Sequence, residues 1–341
     1  MNQIKKITIR CLTNPSKGFG NFSRCLSIAK SLVQKNCIIY FVIDNNEFVI
    51  NELKKHKFNF ISIQLSKSVS QKTNLLKNYI KQNNSDLCII DMREYGEILS
   101  KKLRNYNCKI ILFDDAWNKQ VYADIIFNGT NVESYQNYKI INKDSKLFLG
   151  PKYWILDKNF KDFCKKPSLI KTKKKYFIVV SMGGSDKFNL TTAVVKSLLD
   201  MKNIHLLIII GPFFSHSKTL KKFFSSKSNI SLYISPSKIW KIFSSADIAI
   251  CTGGNTLFEL ACMGIPTLCI PSVNHEIKYA EEFKSQNFSL NLNLREKNFV
   301  RIKSSVLQLI SDVKLQRKMC VSGQKIIDGK GLSRVSKIIL N

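Results

Sequence analysis

A chain of 341 residues is too long for one domain of ~100–200 residues and suits two. Its composition, 44% hydrophobic and 23% charged, is that of a globular protein and excludes a largely disordered one. The charge is lopsided: 54 lysines and arginines face 24 acidic residues, a net +30.

Short apolar strands alternate with amphipathic helices along the chain. In the first half the strands read at 7–12, 38–43, 60–65, 87–91, 110–114 and 124–128, with helices at 22–34 and 69–82 among them. In the second half strands read at 176–181, 206–211, 231–235, 248–251 and 267–270, with helices at 189–201, 256–263 and 275–286. This alternation means βαβ units and parallel sheets. Several strands are continuously apolar and β-branched, as expected where helices cover both faces of a sheet. A polar stretch at 161–175, with Pro167 and the run KTKKK at 171–175, reads as a linker. The expected organisation is a Rossmann-like domain over 1–160, a linker over 161–175 and a second domain over 176–341. These would be two doubly wound α/β halves facing each other, with ligands at the carboxyl ends of the strands.

The longest apolar runs, 37–43 and 205–210, fall far short of the ~20 residues that span a bilayer. The first residues, MNQIKKITIRCLTN, lack the apolar region and cleavage site of a signal peptide. The expected location is the cytoplasm, with the inner face of the membrane as the place where so basic a chain would meet an anionic surface. The ten cysteines form no CxxC pair, and Cys11, Cys37, Cys88, Cys251 and Cys269 lie in or beside apolar strands. They read as buried free thiols in a reducing compartment, not as disulfides or zinc ligands. The excess of cations reads first as a solvated lysine-rich surface, second as attraction to an anionic partner or membrane, and last as specific nucleic-acid recognition, for which no module is visible. An anionic substrate fits the same field.

Three glycine-bearing segments carry the chemistry. Gly18-Phe19-Gly20 follows the first strand and opens a helix, where glycines allow close approach and the helix end favours anions. A dinucleotide-binding reading, with Asp44 on the ribose, fits poorly because Ser23 stands in place of the third glycine and the loop is long and contains Pro15. Ser181-Met182-Gly183-Gly184-Ser185-Asp186 ends the first strand of the second half and suits a phosphate-binding nest of N–H groups, or else a tight turn with Asp186 or Asn189 as a helix cap. Thr252-Gly253-Gly254-Asn255-Thr256-Leu257-Phe258-Glu259 is the most informative. A buried strand ends at a glycine pair, a helix begins, and Glu259 follows about one turn on, where a carboxylate can accept from two ribose hydroxyls. Gly264-Ile265-Pro266 then closes that helix. No GxxxxGK[ST], GxSxG or HExxH motif is present.

In this order, the motifs resemble the GT-B architecture of nucleotide-sugar enzymes. More narrowly, they resemble the family containing the UDP-sugar hydrolase of pseudaminic acid synthesis and the related spore-coat-type glycosyltransferases. The likeness runs over about residues 5–325. It rests on Arg10 with the Arg24-Cys25-Leu26 helix start, on Asp114-Asp115 with Asp124 and Asn128, on Leu149-Gly150-Pro151-Lys152-Tyr153, and on the two later glycine loops and Gly264-Ile265-Pro266. Three positions depart from the family pattern. Asn21 stands where the hydrolase keeps a histidine that acts on the attacking water, Leu12 where the family has an aspartate, and His275-Glu276 where a glutamine would face the sugar.

The resemblance implies a nucleotide-sugar donor, UDP-linked, held mainly by the second domain. Gly183, Gly184 and Ser185, with Gly253, Gly254 and Thr256, would hold its diphosphate, Glu259 its ribose, and Glu276 would lie toward the sugar. Gly18, Gly20, Asn21 and Arg24 would face the acceptor side. The reaction would break the anomeric C–O bond and release the nucleoside diphosphate without a cofactor or metal. Because an amide cannot act as a general base, transfer to a sugar or glycan acceptor, in surface-glycan or flagellin-sugar synthesis, comes first. Hydrolysis by water, with Asp115 or His275 as base, is the alternative. From a different class, the chain would be a non-catalytic sugar-nucleotide-binding relative.

Overall fold

The computed structural model describes residues 4–13, 20–93, 95–115, 120–224 and 227–341. The chain divides into two compact units, Met1–Asp157 together with Lys330–Asn341, and Lys158–Gly329.

In the first unit the strands are β1 (Lys6–Cys11), β2 (Ile38–Asp44), β3 (Asn59–Ile63), β4 (Leu87–Asp91), β5 (Lys109–Phe113), β6 (Gln120–Val121), β7 (Ile125–Asn128), β8 (Lys139–Ile140) and β9 (Lys146–Leu149). Seven of them form one sheet in the order β3-β2-β1-β4-β5-β7-β9, and β6 pairs with β8 apart from it. Every pairing is parallel. The sheet grows outward from β1 in one direction to β3, then restarts at β4 on the other side of β1. That switch point opens a crevice at the carboxyl edge, where the connecting loops diverge.

Side-chain alternation along β1 assigns its residues to two cores. Ile7, Ile9 and Cys11 pack with Phe22, Cys25 and Ile28 of the helix Gly20–Val33, and with Val335 and Ile339 of the C-terminal helix Gly331–Leu340. On the opposite face Leu12 joins Val42, Leu76, Ile90 and Leu99, beneath the helices Val69–Gln82 and Gly96–Leu103. The helix Val69–Gln82 begins where the sequence reading puts it because Ser68 and Gln71 close a reciprocal capping box.

The second unit holds β10 (Tyr176–Ser181), β11 (Ile204–Ile210), β12 (Ile230–Ile234), β13 (Ile248–Cys251), β14 (Thr267–Cys269) and β15 (Ser289–Asn291). They form a parallel sheet in the order β12-β11-β10-β13-β14-β15, with its switch point between β10 and β13. Ser181 lies beside Cys251 in register, so the loops that leave these two strands start as neighbours. The helix Asn255–Met263 ends at Gly264, whose φ of 68° an L side chain rarely adopts. Its N–H and that of Ile265 bond back to Ala261 and Leu260, and Pro266 follows. Among the described residues no helix is long and apolar enough to cross a membrane. All ten cysteines are free thiols.

Two differences from the sequence reading have physical causes. Lys158 already belongs to the second unit, so the polar stretch 161–175 is part of it. There Cys164 Sγ donates to the Cys262 carbonyl, and the Lys165 carbonyl accepts from Gln324. The chain from Lys330 onward, read as the end of the second domain, folds back onto the first unit. Ser336 bonds Ser31 there, Arg334 donates to the Lys152 carbonyl, and Lys5 reaches the Leu340 carbonyl. These contacts join residues hundreds of positions apart, which no local pattern announces.

The docking of that last helix depends on Gly331. A Cβ there would lie 2.0 Å from the Trp154 carbonyl oxygen, and backbone cannot give way cheaply. Gly331→Ala is expected to cost the first unit about 1–3 kcal/mol, the range of an overpacked contact that forces backbone to shift. Urea denaturation followed by ellipticity checks it; an unchanged midpoint would mean that the helix does not stabilise the unit.

Candidate functional site

Both glycine loops of the second unit leave the sheet at its switch point. After β10, Gly183 takes a φ of 78°. Its neighbour Gly184 lies against Gly211 just beyond β11, where a Cβ on Gly211 would stand 2.5 Å from the Gly184 carbonyl. Asp186 bends the chain with a φ of 39° and caps the helix Leu190–Leu198, accepting from the N–H groups of Leu190 at 2.8 Å and Thr191 at 2.9 Å. Asp186 therefore ties the loop to its helix. After β13, Thr252 faces the first loop: its Oγ1 is the nearest atom to the side-chain position of Gly183. Gly254 is the N-cap of the helix Asn255–Met263 and makes no side-chain capping bond, while the Glu276 carboxylate lies beside this positive helix end, 3.1 Å from where a Gly254 Cβ would stand.

Glu276 holds this second loop in place. Its side chain is buried, its carboxylate accepts from the N–H and hydroxyl of Ser272 at 2.7 and 2.9 Å, and a Cβ on Gly253 would touch it at 2.7 Å. Burial raises its pKa, against the backbone and hydroxyl bonds that favour the carboxylate. Thr256, in the first turn of the helix after Gly254, and Glu259, one turn on, are half-buried; Glu259 already has a partner in the protein. His275 is half-buried at the start of the helix Asn274–Ser285, with its ring edge-on to Tyr279 at 6.2 Å. Ser185 is half-buried in the first loop.

The sequence reading passes over a cation beside these loops. Arg295 lies over the Phe188 ring at 3.7 Å and donates to the Ser272 carbonyl at 3.0 Å, so an exposed guanidinium is fixed between the segment after Asp186 and the segment that holds Glu276. Nothing local marked it: it stands in a polar turn after β15, a strand too short and too polar to be read.

The first unit gathers a different set at its own switch point. Asp91, the last residue of β4, is fully buried. It accepts from Asn21 Nδ2 at 2.5 Å and from Arg24 Nε and Nη2 at 2.7 and 2.6 Å. Arg24 also lies 3.5 Å from Asp115, which Arg93 holds at 3.0 Å from the other side. Burial works against the charge of Arg24, but Asp91 and then Asp115 outweigh it and raise its pKa. Behind Asp115, Tyr138 donates to Asp114 and receives a bond from Asn128. Burial, then the Asp114 charge, pushes the Tyr138 phenol well above its usual range. Asp124 serves the sheet, accepting from the N–H of Ile110 at 2.6 Å.

Asn21, Arg24 and Asp115 are thus brought together, by a carboxylate the sequence reading treated only as the end of a strand. The available signal was a single acid closing the apolar run LCIID at the carboxyl edge. Gly20 is the first residue of the helix that carries Asn21, and Gly18 lies outside the described residues. Asp44, the ribose partner of the dinucleotide alternative, is buried in an ion pair with Arg10 at 2.8 Å. Among the described residues no group of three or more histidine, cysteine or acidic side chains is placed to hold a metal.

Known proteins resemble this chain in sequence and in fold. Residues 177–328 match the glycosyltransferase family 28 C-terminal domain. The spore coat polysaccharide biosynthesis protein SpsG of Bacillus subtilis is 25% identical, over 95% of this chain and 94% of its own length. A UDP-2,4-diacetamido-2,4,6-trideoxy-beta-L-altropyranose hydrolase of Campylobacter jejuni is 25% identical, over 74% of this chain and 87% of its own. Among solved structures, MurG of Acinetobacter baumannii superimposes with a TM-score of 0.70 at 13% identity, covering 99% of both chains. The spinosyn rhamnosyltransferase SpnG in complex with thymidine diphosphate does so at 0.68 and 10% identity, covering 98% of this chain and all of that one. The chain therefore has the GT-B fold, its second unit carries a glycosyltransferase family 28 C-terminal domain, and it is a distant homologue of SpsG and of the UDP-sugar hydrolases of pseudaminic acid synthesis.

Proposed function

We propose that the chain is a nucleotide-sugar-dependent enzyme that breaks the anomeric C–O bond of a UDP-linked sugar and passes the glycosyl group to a sugar or glycan acceptor. The observation that carries this reading is the pair of glycine loops side by side at the β10/β13 switch point, one of them opening a helix with a glycine N-cap. Gly183, Gly184 and Ser185 would hold one phosphate and Gly253, Gly254 and Thr256 the other. Arg295 would add a cation, and Glu259 would accept from the ribose hydroxyls. The leaving diphosphate is then stabilised where its charge develops, by N–H groups, a helix dipole and a guanidinium. The family 28 match over this unit and the thymidine diphosphate bound by the structurally similar SpnG support the assignment.

In the first unit, Asn21 and Arg24 would face the acceptor from the Asp91 cluster. Hydrolysis is the second reading, favoured by the likeness to the Campylobacter hydrolase. Both carboxylates of the cluster are held in ion pairs, Asp91 by Arg24 and Asp115 by Arg24 and Arg93, which leaves neither placed as an unencumbered base. Glu276 acts in this scheme as a positioning residue: it fixes the Gly253 backbone and contacts the donor only through that loop.

Removing the Glu259 carboxylate should delete one or two charge-assisted hydrogen bonds to the nucleoside, each worth about 1.5–3 kcal/mol. Calorimetry with UDP on wild type and Glu259→Ala reads this directly; equal affinity for the two proteins would remove Glu259 from the site.

A histidine at position 21 would find Asp91 already in place of an orienting carboxylate, since the Asn21 amide bonds it now. Asn21→His is therefore expected to raise donor hydrolysis without acceptor, toward the lower end of the roughly 10²–10⁴-fold that a positioned general base contributes. UDP release, with and without candidate acceptors, is the measurement. Rapid acceptor-independent hydrolysis by the wild type, abolished in Asp115→Ala or His275→Ala, would establish a hydrolase instead.

A further inference from the structure

The face of the first sheet opposite Asn21 and Arg24 carries a cavity of about 460 Å³ at the carboxyl ends of β1, β2 and β4. Leu12, Leu65, Met92 and Leu99 give its walls an apolar part, beside Ser68 and Tyr95. Its charged groups are of another kind. Arg10, only 2% exposed, sits at the floor, held by the carbonyls of Cys11 and Val42 at 3.2 Å and by Asp44 at 2.8 Å. Lys72 reaches the same Asp44 at 3.4 Å, and Lys67 stands beside the start of the helix that carries Lys72. Three cationic side chains therefore line the cavity against one carboxylate.

An arginine in a sheet core is costly unless its charge is compensated. Asp44 compensates it, and the two lysines are then in excess. Leu12 deepens the imbalance. It adds apolar surface beside the cations and no second carboxylate. The Leu12 N–H bonds the Asp91 carbonyl at 3.0 Å, so this wall is one residue away from the strand end that holds Asn21 and Arg24.

We propose that this cavity binds an anionic amphiphile, a ligand with a phosphate or carboxylate group and an apolar body. The anion pairs with Lys67 and Lys72 over the Arg10–Asp44 pair, and the apolar body lies against Leu12, Leu65 and Met92. This is a binding property that stands without turnover and apart from the function proposed above.

Calorimetry on the full chain with hexyl phosphate tests it, with inorganic phosphate and hexyl β-glucoside as the charge-only and tail-only controls. Hexyl phosphate should bind at least about tenfold more tightly than either control, because the charged pairs and the apolar contacts act together. Lengthening the tail from butyl to hexyl should strengthen binding by about threefold to fourfold per methylene that enters the cavity. The double variant Lys67→Ala/Lys72→Ala, both at the rim, should weaken hexyl phosphate by about tenfold or more. Leu12→Asp should weaken it further by adding a carboxylate to the wall. Saturating UDP should leave hexyl phosphate binding in place. Wild-type affinity in the lysine variant, equal binding of inorganic phosphate, or displacement of hexyl phosphate by UDP would each overturn the proposal. Retained hexyl phosphate binding in a protein that fails to bind UDP would overturn the proposed function and leave the cavity assignment standing.

Discussion

Each sheet of this chain reverses its direction of growth at one place, between β1 and β4 in the first unit and between β10 and β13 in the second. The candidate site residues gather at those two places. A strand-order reversal parts the connections above neighbouring strands and leaves their carboxyl ends open. In the second unit both connections carry glycine pairs, Gly183-Gly184 and Gly253-Gly254. Side-chain-free backbone is what permits the close packing there: Gly211 admits the Gly184 carbonyl, and Gly253 admits Glu276. Gly211 and Gly253 are needed for packing within the unit before any ligand arrives.

The first unit solves a different problem at its switch point. It concentrates charge. Arg24 is shared by Asp91 and Asp115, Arg93 completes the second carboxylate, and Asn21 donates to the Asp91 oxygen that Arg24 Nη2 also bonds. Such a network is stable only when nearly every polar atom is met, and removing one partner strands the others. It holds Asn21 in a fixed orientation at the head of its helix. On the other face of the same strands, Arg10 and Asp44 repeat the device under a cavity with partly apolar walls. Alternation along β1 is what allows one strand to serve two unlike sites.

The parallel sheets were legible because their strands are continuous apolar runs, and β4, β10 and β13 lie where those runs predict. The glycine loops and the Gly264 stop were legible because they depend on local backbone conformation. What stayed hidden depends on distance along the chain. Asp91 meets Asn21 and Arg24 across about 70 residues, and Arg295 meets Phe188 across more than a hundred. The short strands β9 and β15 are too brief or too polar to declare themselves, and the last helix is placed by contacts with Ser31, Lys152 and Trp154 rather than by its own pattern. Glu276, read as facing the sugar, is spent on Ser272 and the Gly253 backbone, which only the packed structure reveals.

The central claim is that two glycine loops at one switch point hold a nucleoside diphosphate. Backbone hydrogen exchange with and without UDP tests it residue by residue, since a bound phosphate protects the N–H groups that cradle it. The account predicts slowed exchange confined to 181–186 and 252–259, with the first unit unchanged. Protection elsewhere in the second unit, or none in either loop at a UDP concentration that saturates binding, would contradict it.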